Sequence, residues 1–457
     1  MRLNTLLTRI VRKGVRGTCL AVFSLMITGF LLSAPPLSAQ SAGAPEAKNG
    51  EDPAQDILIE GLGFSKLVLV YEMEEGTTAH GEFTRLGSLL EKNLCWSGLF
   101  NLKGGRSLFC ALKDTPQRID MRLVLSRKND SLKLRLYDTG PERLMLHEDT
   151  LSLQKTTEEP QIIDLVNRLT ERITGTPGIL GSTIGFVLRQ PGYAKVIVST
   201  DTHNNELKLV STNPDINILP RFSPKGNGLV YTVLGRRGSQ VYFHSLLTGG
   251  NGLSKSRFLT PPGSLNTGGT FSPQGDRVVI TMSVSNNADL FMVDLKDGEK
   301  KQLTSRPGIE TQAHWSPDGS RLVFVSDRSG TPQIYLLDLQ TGEDLRVTFD
   351  GVYNADPRWS PDGRSILFTK RVDGVDEIHI MDEYGENVRR ITRSGRYTSE
   401  QAEWSPDGRQ VIFSSNRTGE YKLYIVSADG SNLRRLTATP AGFEENSPTW
   451  TSRQFVR

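Results

Sequence analysis

Trp315-Ser-Pro-Asp-Gly319 recurs as Trp359-Ser-Pro-Asp-Gly363 and Trp404-Ser-Pro-Asp-Gly408. Phe222-Ser-Pro-Lys-Gly226 and Phe271-Ser-Pro-Gln-Gly275 are weaker copies, and Trp450-Thr451 is a truncated one. Successive aromatic residues stand 49, 44, 44, 45 and 46 positions apart. Self-similarity with a period of about 45 residues is the signature of a β-propeller, one four-stranded blade per repeat. The Pro presets φ at the second turn position, and the closing Gly accepts φ > 0. The Trp is large and flat, suited to the wedge between blades.

Each motif is followed by an alternating run, such as Arg321-Leu-Val-Phe-Val-Ser326 or Gln410-Val-Ile-Phe-Ser414. A second run follows, such as Gln333-Ile-Tyr-Leu-Leu-Asp338, and then a short one ending in Leu-Thr or its equivalent. Period-two β-branched runs between Gly turns read as strands. Five aromatic-Ser-Pro units are complete. Runs at 183–212 lack a leading aromatic strand, and Asn446-Ser-Pro-Thr-Trp-Thr451 is a leading strand with nothing after it. Together they read as a sixth blade that closes the ring and removes its edges. The propeller is expected over residues 183–457.

Before it, residues 56–178 read as an α/β domain. β runs at Ile57–Glu60 and Lys66–Tyr71 precede helical spacing at 78–95. Hairpin-like strands at about 118–126, 131–138 and 142–149 precede a second helix over 160–174. The fold class expected is thus an N-terminal α/β domain followed by an all-β six-bladed β-propeller.

Residues 1–39 read as a secretory signal. Arg2, Arg9, Arg12, Lys13 and Arg16 precede an apolar run from Leu20 to Leu32, and Leu37-Ser-Ala39 offers a cleavage site. A retained anchor would need ~18–20 apolar residues, and this run is shorter. Residues 40–55 are small and polar, and read as a flexible segment. Removing five positive charges from a net +3 leaves −2, so charge gives no support for a nucleic-acid partner. No later stretch approaches a membrane span. Export leaves two readings open for Cys95 and Cys110, a disulfide or two buried thiols.

The chemistry-bearing motifs are missing. No Gly-x-Ser-x-Gly elbow, P-loop or dinucleotide fingerprint occurs, and the six His are scattered. His314, just before Trp315, is expected in or near the central channel. No cofactor, metal or catalytic residue is expected. A propeller hydrolase, peptidase- or lactonase-like, is the alternative. Acids that precede the Trp strands, Glu310, Asp356, Glu400, Glu403, Glu444 and Glu445, suit either a cation or a basic partner surface.

Three stretches carry a resemblance besides the repeats: the export signal, Leu90-Glu-Lys-Asn-Leu-Cys-Trp-Ser-Gly-Leu-Phe100, and the junction Leu169-Thr-Glu-Arg-Ile-Thr-Gly-Thr-Pro-Gly-Ile-Leu-Gly181 with its following strand. In this order the chain resembles the TolB family, periplasmic components of the Tol–Pal system. The resemblance implies a monomeric, non-enzymatic scaffold in the periplasm. It implies the lipoprotein Pal as partner at the propeller mouth, where Asn266, Thr267, Glu310, Thr311, Asn354, Glu400 and Glu444 are the expected contacts. It implies TolA as partner of the N-terminal segment, here Ile57, Leu58, Ile59 and Glu60, and other envelope proteins as further partners.

Overall fold

The computed structural model describes residues 67–73, 81–103, 121–128, 131–137, 139, 141–142, 145–152, 158–174, 177–202, 207–211, 213–246, 256–263, 265–284, 287–393 and 395–452. The expected signal, the 40–55 segment, Ile57–Glu60 and Cys110 lie outside these residues.

Among the described residues the N-terminal unit is a five-stranded sheet with two helices. Its strands are β1 (Leu67–Met73), β2 (Phe100–Lys103), β3 (Met121–Lys128), β4 (Ser131–Tyr137) and β5 (Met145–Ser152), in the order β2-β1-β3-β4-β5. The pairs of β1 with β2 and β3 are parallel, and β3-β4-β5 is an antiparallel meander. Helix α1 (Gly81–Trp96) connects β1 to β2, and α2 (Glu158–Thr174) follows β5. The apolar stripe of α1, Leu86, Leu90 and Leu94, packs with Ile162, Leu165, Val166 and Leu169 of α2. Both lie over Leu132, Leu134 and Leu136, the buried alternate residues of β4. The i, i+4 spacing of the helices and the period of two in the strand thus meet in one core. Cys95 on α1 is buried and disulfide-bonded.

The remainder is six four-stranded antiparallel sheets. Blades 1 to 5 begin with the inner strands Ile216–Phe222, Asn266–Phe271, Glu310–Trp315, Asn354–Trp359 and Ser399–Trp404. Blade 6 is composite: inner strand Glu444–Thr451 pairs with Thr183–Arg189, which leads to Val196–Asp201 and Lys208–Leu209. Each inner strand touches the next, and that of blade 6 touches that of blade 1, so the ring is closed.

The repeat motif explains itself locally. The Ser316 backbone N–H donates to Arg321 O at 2.9 Å and its hydroxyl to Asp318 Oδ1 at 2.5 Å, while Gly319 holds φ +76°. Indole N–H groups bridge blades: Trp315 Nε1 reaches Thr270 O and Trp404 Nε1 reaches Arg358 O. The recurring Leu-Thr has a role too. The hydroxyls of Thr304, Thr348 and Thr392 each accept the third-strand N–H of Leu290, Ile334 and Ile378 at 2.9 Å. They satisfy donors where the short outer strand has stopped pairing.

The two units meet at Trp96. Its side chain packs against both the N-terminal core and the core shared by blades 5 and 6. Gln410 Nε2 donates to Trp96 O at 2.9 Å, and the Arg434 guanidinium lies 4.3 Å over its ring. Asn167 of α2 pairs with both backbone groups of Leu180. These contacts lie on the face of the Ser-Pro-Asp-Gly turns. Among the described residues no helix is long and apolar enough to cross a membrane.

Candidate partner-binding site

The opposite face carries the connections that enter the inner strands. Its geometry is set by a kink three residues before each aromatic. Leu219, Gln312, Asp356, Gln401 and Ser447 all adopt φ of 51–55°, and Gly268 takes the sixth place at +69°. The ladder shifts register there in every blade. Such a bulge re-aims the residues on either side of it. The kinked residues also link blades, since Gln312 Oε1 accepts Asp356 N–H and Gln401 Oε1 accepts Ser447 N–H.

Just below the kink, the residue before the aromatic turns into the centre of the ring. Arg221 of blade 1, Arg358 of blade 4 and Glu403 of blade 5 meet there, with both Nε atoms aimed at Glu403 Oε2, at 3.7 and 3.5 Å. Arg221 also donates to Pro448 O of blade 6. All three side chains are nearly buried. Burial and the neighbouring Arg358 bring Arg221 down to about 10, against the pull of Glu403. His314 sits beside this triad, as the sequence suggests, and its Nδ1 accepts Trp359 N–H at 3.3 Å. Burial and the two arginines hold it well below the usual imidazole range, so it is neutral.

Above the triad, Asp356, Asp376 and Glu400 face one another with Tyr353 and Tyr421. Burial, then Asp356 and Asp376, push Glu400 up to about 8, with Arg371 and Lys195 opposing. Arg371 grips Asp376 through both oxygens, at 2.7 and 2.9 Å, and lies over Tyr353 at 4.3 Å. Exposed apolar side chains stand on the connections of the same face. Phe349 is 75 % and Val352 68 % exposed on the connection into blade 4, and Tyr397 stands on that into blade 5. Exposed apolar groups beside polar ones mark interaction surfaces.

The seven expected contacts separate into three groups. Asn266, Glu310 and Asn354 are not mouth residues: each opens an inner strand and is buried. Asn266 Nδ2 donates to Ser239 O and Pro261 O, Asn354 Nδ2 to Gln333 Oε1 and Asp350 O, and Glu310 Oε1 accepts from Ser326. They staple the entering connection to its blade, as Asn217 and Glu445 do at the equivalent places. Thr267 and Thr311 are half-buried and share hydrogen bonds with Thr232 and Thr281 of the preceding blade. Glu400 and Glu444 do stand at the entry, with Glu444 paired to Arg189 at 2.7 Å.

The reading by sequence named Glu403 among the acids before the Trp strands but missed Phe349, Val352, Asp376 and the two arginines, Arg221 and Arg358, that meet Glu403. One signal was present: the position before the aromatic is charged in three repeats, where an ordinary blade strand would be polar or apolar. Among the described residues, no group of three or more His, Cys, Asp or Glu could hold a metal ion.

Comparison with known proteins identifies the family and the fold. The family model of the TolB beta propeller domain matches residues 170–454. The Tol-Pal system protein TolB of Desulfotalea psychrophila is 30% identical over 167 residues, which is 36% of this chain and 37% of that one. That of Desulfosudis oleivorans is 29% identical over 159 residues, 34% of this chain and 36% of the relative. The aligned segments therefore span little more than a third of either relative. The crystal structure of TolB from Acinetobacter baumannii shares the fold, with a TM-score of 0.65 and 24% identity over 84% of this chain and 96% of that one.

Proposed function

Because the chain belongs to the TolB β-propeller family, we propose that it is a non-enzymatic protein-binding scaffold of the Tol–Pal system in the periplasm. In this reading it links the inner-membrane Tol proteins to the peptidoglycan-associated lipoprotein Pal. It thereby serves outer-membrane integrity and constriction at division. The observation that carries the reading is the entry face: an acidic chamber floored by the buried triad and rimmed by Phe349, Val352 and Tyr397. A floor of paired charges suits a surface that receives a protuberance of a partner better than one that passes a substrate through. Apolar anchors at the rim supply the desolvated contacts on which protein interfaces depend. The Pal surface accordingly comprises Glu400, Glu444 and, at the blade seams, Thr267 and Thr311, together with the apolar rim.

The N-terminal segment, with Ile57, Leu58, Ile59 and Glu60, is the element that engages TolA. A short β run beside a polar tail can add a strand to a partner's sheet edge. The test is capture from an envelope extract with the mature chain and with a form lacking residues 40–60. TolA should be lost from the truncated form while Pal is retained. Equal recovery of both partners would remove the segment from the TolA site, and recovery of neither by the mature chain would remove the scaffold reading.

A further inference from the structure

A buried position at the seam between blades 2 and 3 differs from its counterparts. The residue of the third strand next to the Thr-capped N–H stands at the seam with the residue five positions before the aromatic of the following inner strand. At the seam of blades 3 and 4 the pair is Gln333 and Asn354, joined by an amide–amide hydrogen bond of 2.9 Å. At the seam of blades 5 and 6 the two positions hold Lys422 and Glu445. At the seam of blades 2 and 3 both positions are acids, Asp289 and Glu310. Glu310 is fully buried and Asp289 is 3 % exposed.

The surroundings decide which acid keeps a proton. Asp289 accepts from Asn287 Nδ2 at 2.8 Å and from Gln302 Nε2 at 3.1 Å, so its charged form is solvated by donors. Glu310 accepts only from Ser326 at its Oε1, and its Oε2 meets no donor. The nearest cation is Arg328, whose Nη1 donates to Asp344 at 3.1 Å and whose plane stacks over Tyr335 at 4.1 Å; its Nε and Nη2 meet no acceptor, so it forms no ion pair with either acid. Asp327 is occupied by Ile309 N–H at 2.7 Å. Two buried carboxylates without a dedicated cation repel one another, and a single proton between them turns repulsion into a hydrogen bond.

We propose that Asp289 and Glu310 share one proton, and that the pair makes the seam between blades 2 and 3 a pH-sensitive joint. The joint is tight while the proton is held and loosens when it leaves. The Coulomb and desolvation balance agrees: burial first, then the approach of Asp289, raise Glu310 to about 7, while the Ser326 hydroxyl and Arg328 oppose. A folded value above the unfolded 4.5 means that stability is present at low pH and lost as pH rises through about 7. The loosening reaches the entry face directly, because the Thr281 hydroxyl lies 3.2 Å from both Glu310 O and the Thr311 hydroxyl, donating to the one and accepting from the other across the same seam.

The test is urea unfolding of the mature chain at pH 5.5 and 8.5, wild type beside Glu310→Gln. The amide cannot ionise and can donate to Asp289, as Asn354 donates to Gln333 at the next seam. Its folded-to-unfolded ratio should gain on the wild type by roughly 30-fold between the two pH values. Parallel losses in both proteins would overturn the proposal. Asp289→Asn provides the second arm and should flatten the same pH dependence. If both variants fail to fold, the 13C carboxyl resonance of Glu310 in the wild type decides. Titration near pH 7 supports the shared proton, and an ordinary Glu midpoint or ionisation throughout overturns it.

Discussion

Replacing Trp450 by Ala should cost the propeller about 4–6 kcal/mol. Trp450 is the aromatic residue of the closing inner strand and is 8 % exposed. It packs with Ile184, Phe186, Ile412 and Ile425, so one side chain joins the strand of blade 6 to its own sheet and to blade 5. Truncating a buried Trp to Ala removes ~3–5 kcal/mol through lost transfer energy and the cavity left behind. The indole N–H also donates to Ser182 Oγ at 2.7 Å, and Ser182 is itself buried at the junction with the N-terminal unit. Losing that bond adds about 1 kcal/mol. The sum is a large part of the roughly 5–15 kcal/mol typical of a domain. The assay is urea unfolding followed by far-UV circular dichroism, which does not depend on the removed fluorophore. Trp450→Phe is the control, keeping most of the packing and losing the N–H, with an expected loss of about 1–2 kcal/mol. A loss under about 1.5 kcal/mol for the Ala variant would refute the claim that this strand holds the ring closed.

Two further outcomes are expected. Trp96→Ala should free the N-terminal unit from blades 5 and 6, since it removes the ring under Arg434 and the packing shared by both cores; limited proteolysis should then cut faster near residues 175–182, and unchanged cleavage would place the docking contacts elsewhere. Glu400→Gln should be most stabilising in alkaline buffer: the folded carboxyl titrates at about 8 against 4.5 unfolded, so the wild type loses stability as pH rises through 8. Thermal midpoints at pH 6 and 9 check this, and an equal shift in both proteins would contradict it.

The propeller was legible because its determinants are local and repeated. Pro317, Gly319 and Trp315 specify a turn and a wedge within five residues, and each copy reports the same backbone. The closing strand was legible as well, since Asn446–Thr451 carries the motif without a blade behind it. The entry face was read less well. Asn266, Glu310 and Asn354 look like solvated loop residues when counted back from their aromatics. Their burial depends on Pro261, Ser326 and Gln333, which lie on neighbouring connections and strands 5 to 21 residues away. The kink at Gln312, Asp356 and Gln401 was also hidden, because no Gly marks it in these blades. It is imposed by the inner strand crossing the narrow centre of the ring, a tertiary demand that overrides local propensity. The apolar rim escaped notice because Phe349 and Val352 stand outside the repeat pattern.

The central claim is that the entry face receives a Tol–Pal partner. Calorimetric titration of purified Pal into the mature chain tests it most directly, with the double variant Phe349→Asp, Val352→Asp beside Tyr384→Asp, an exposed residue on the opposite face. A single saturable site is expected in the wild type and in Tyr384→Asp. Loss of two rim anchors should weaken it at least tenfold, about 1.4 kcal/mol or more. Absence of binding by the wild type, or equal affinity in the rim variant, would contradict the assignment.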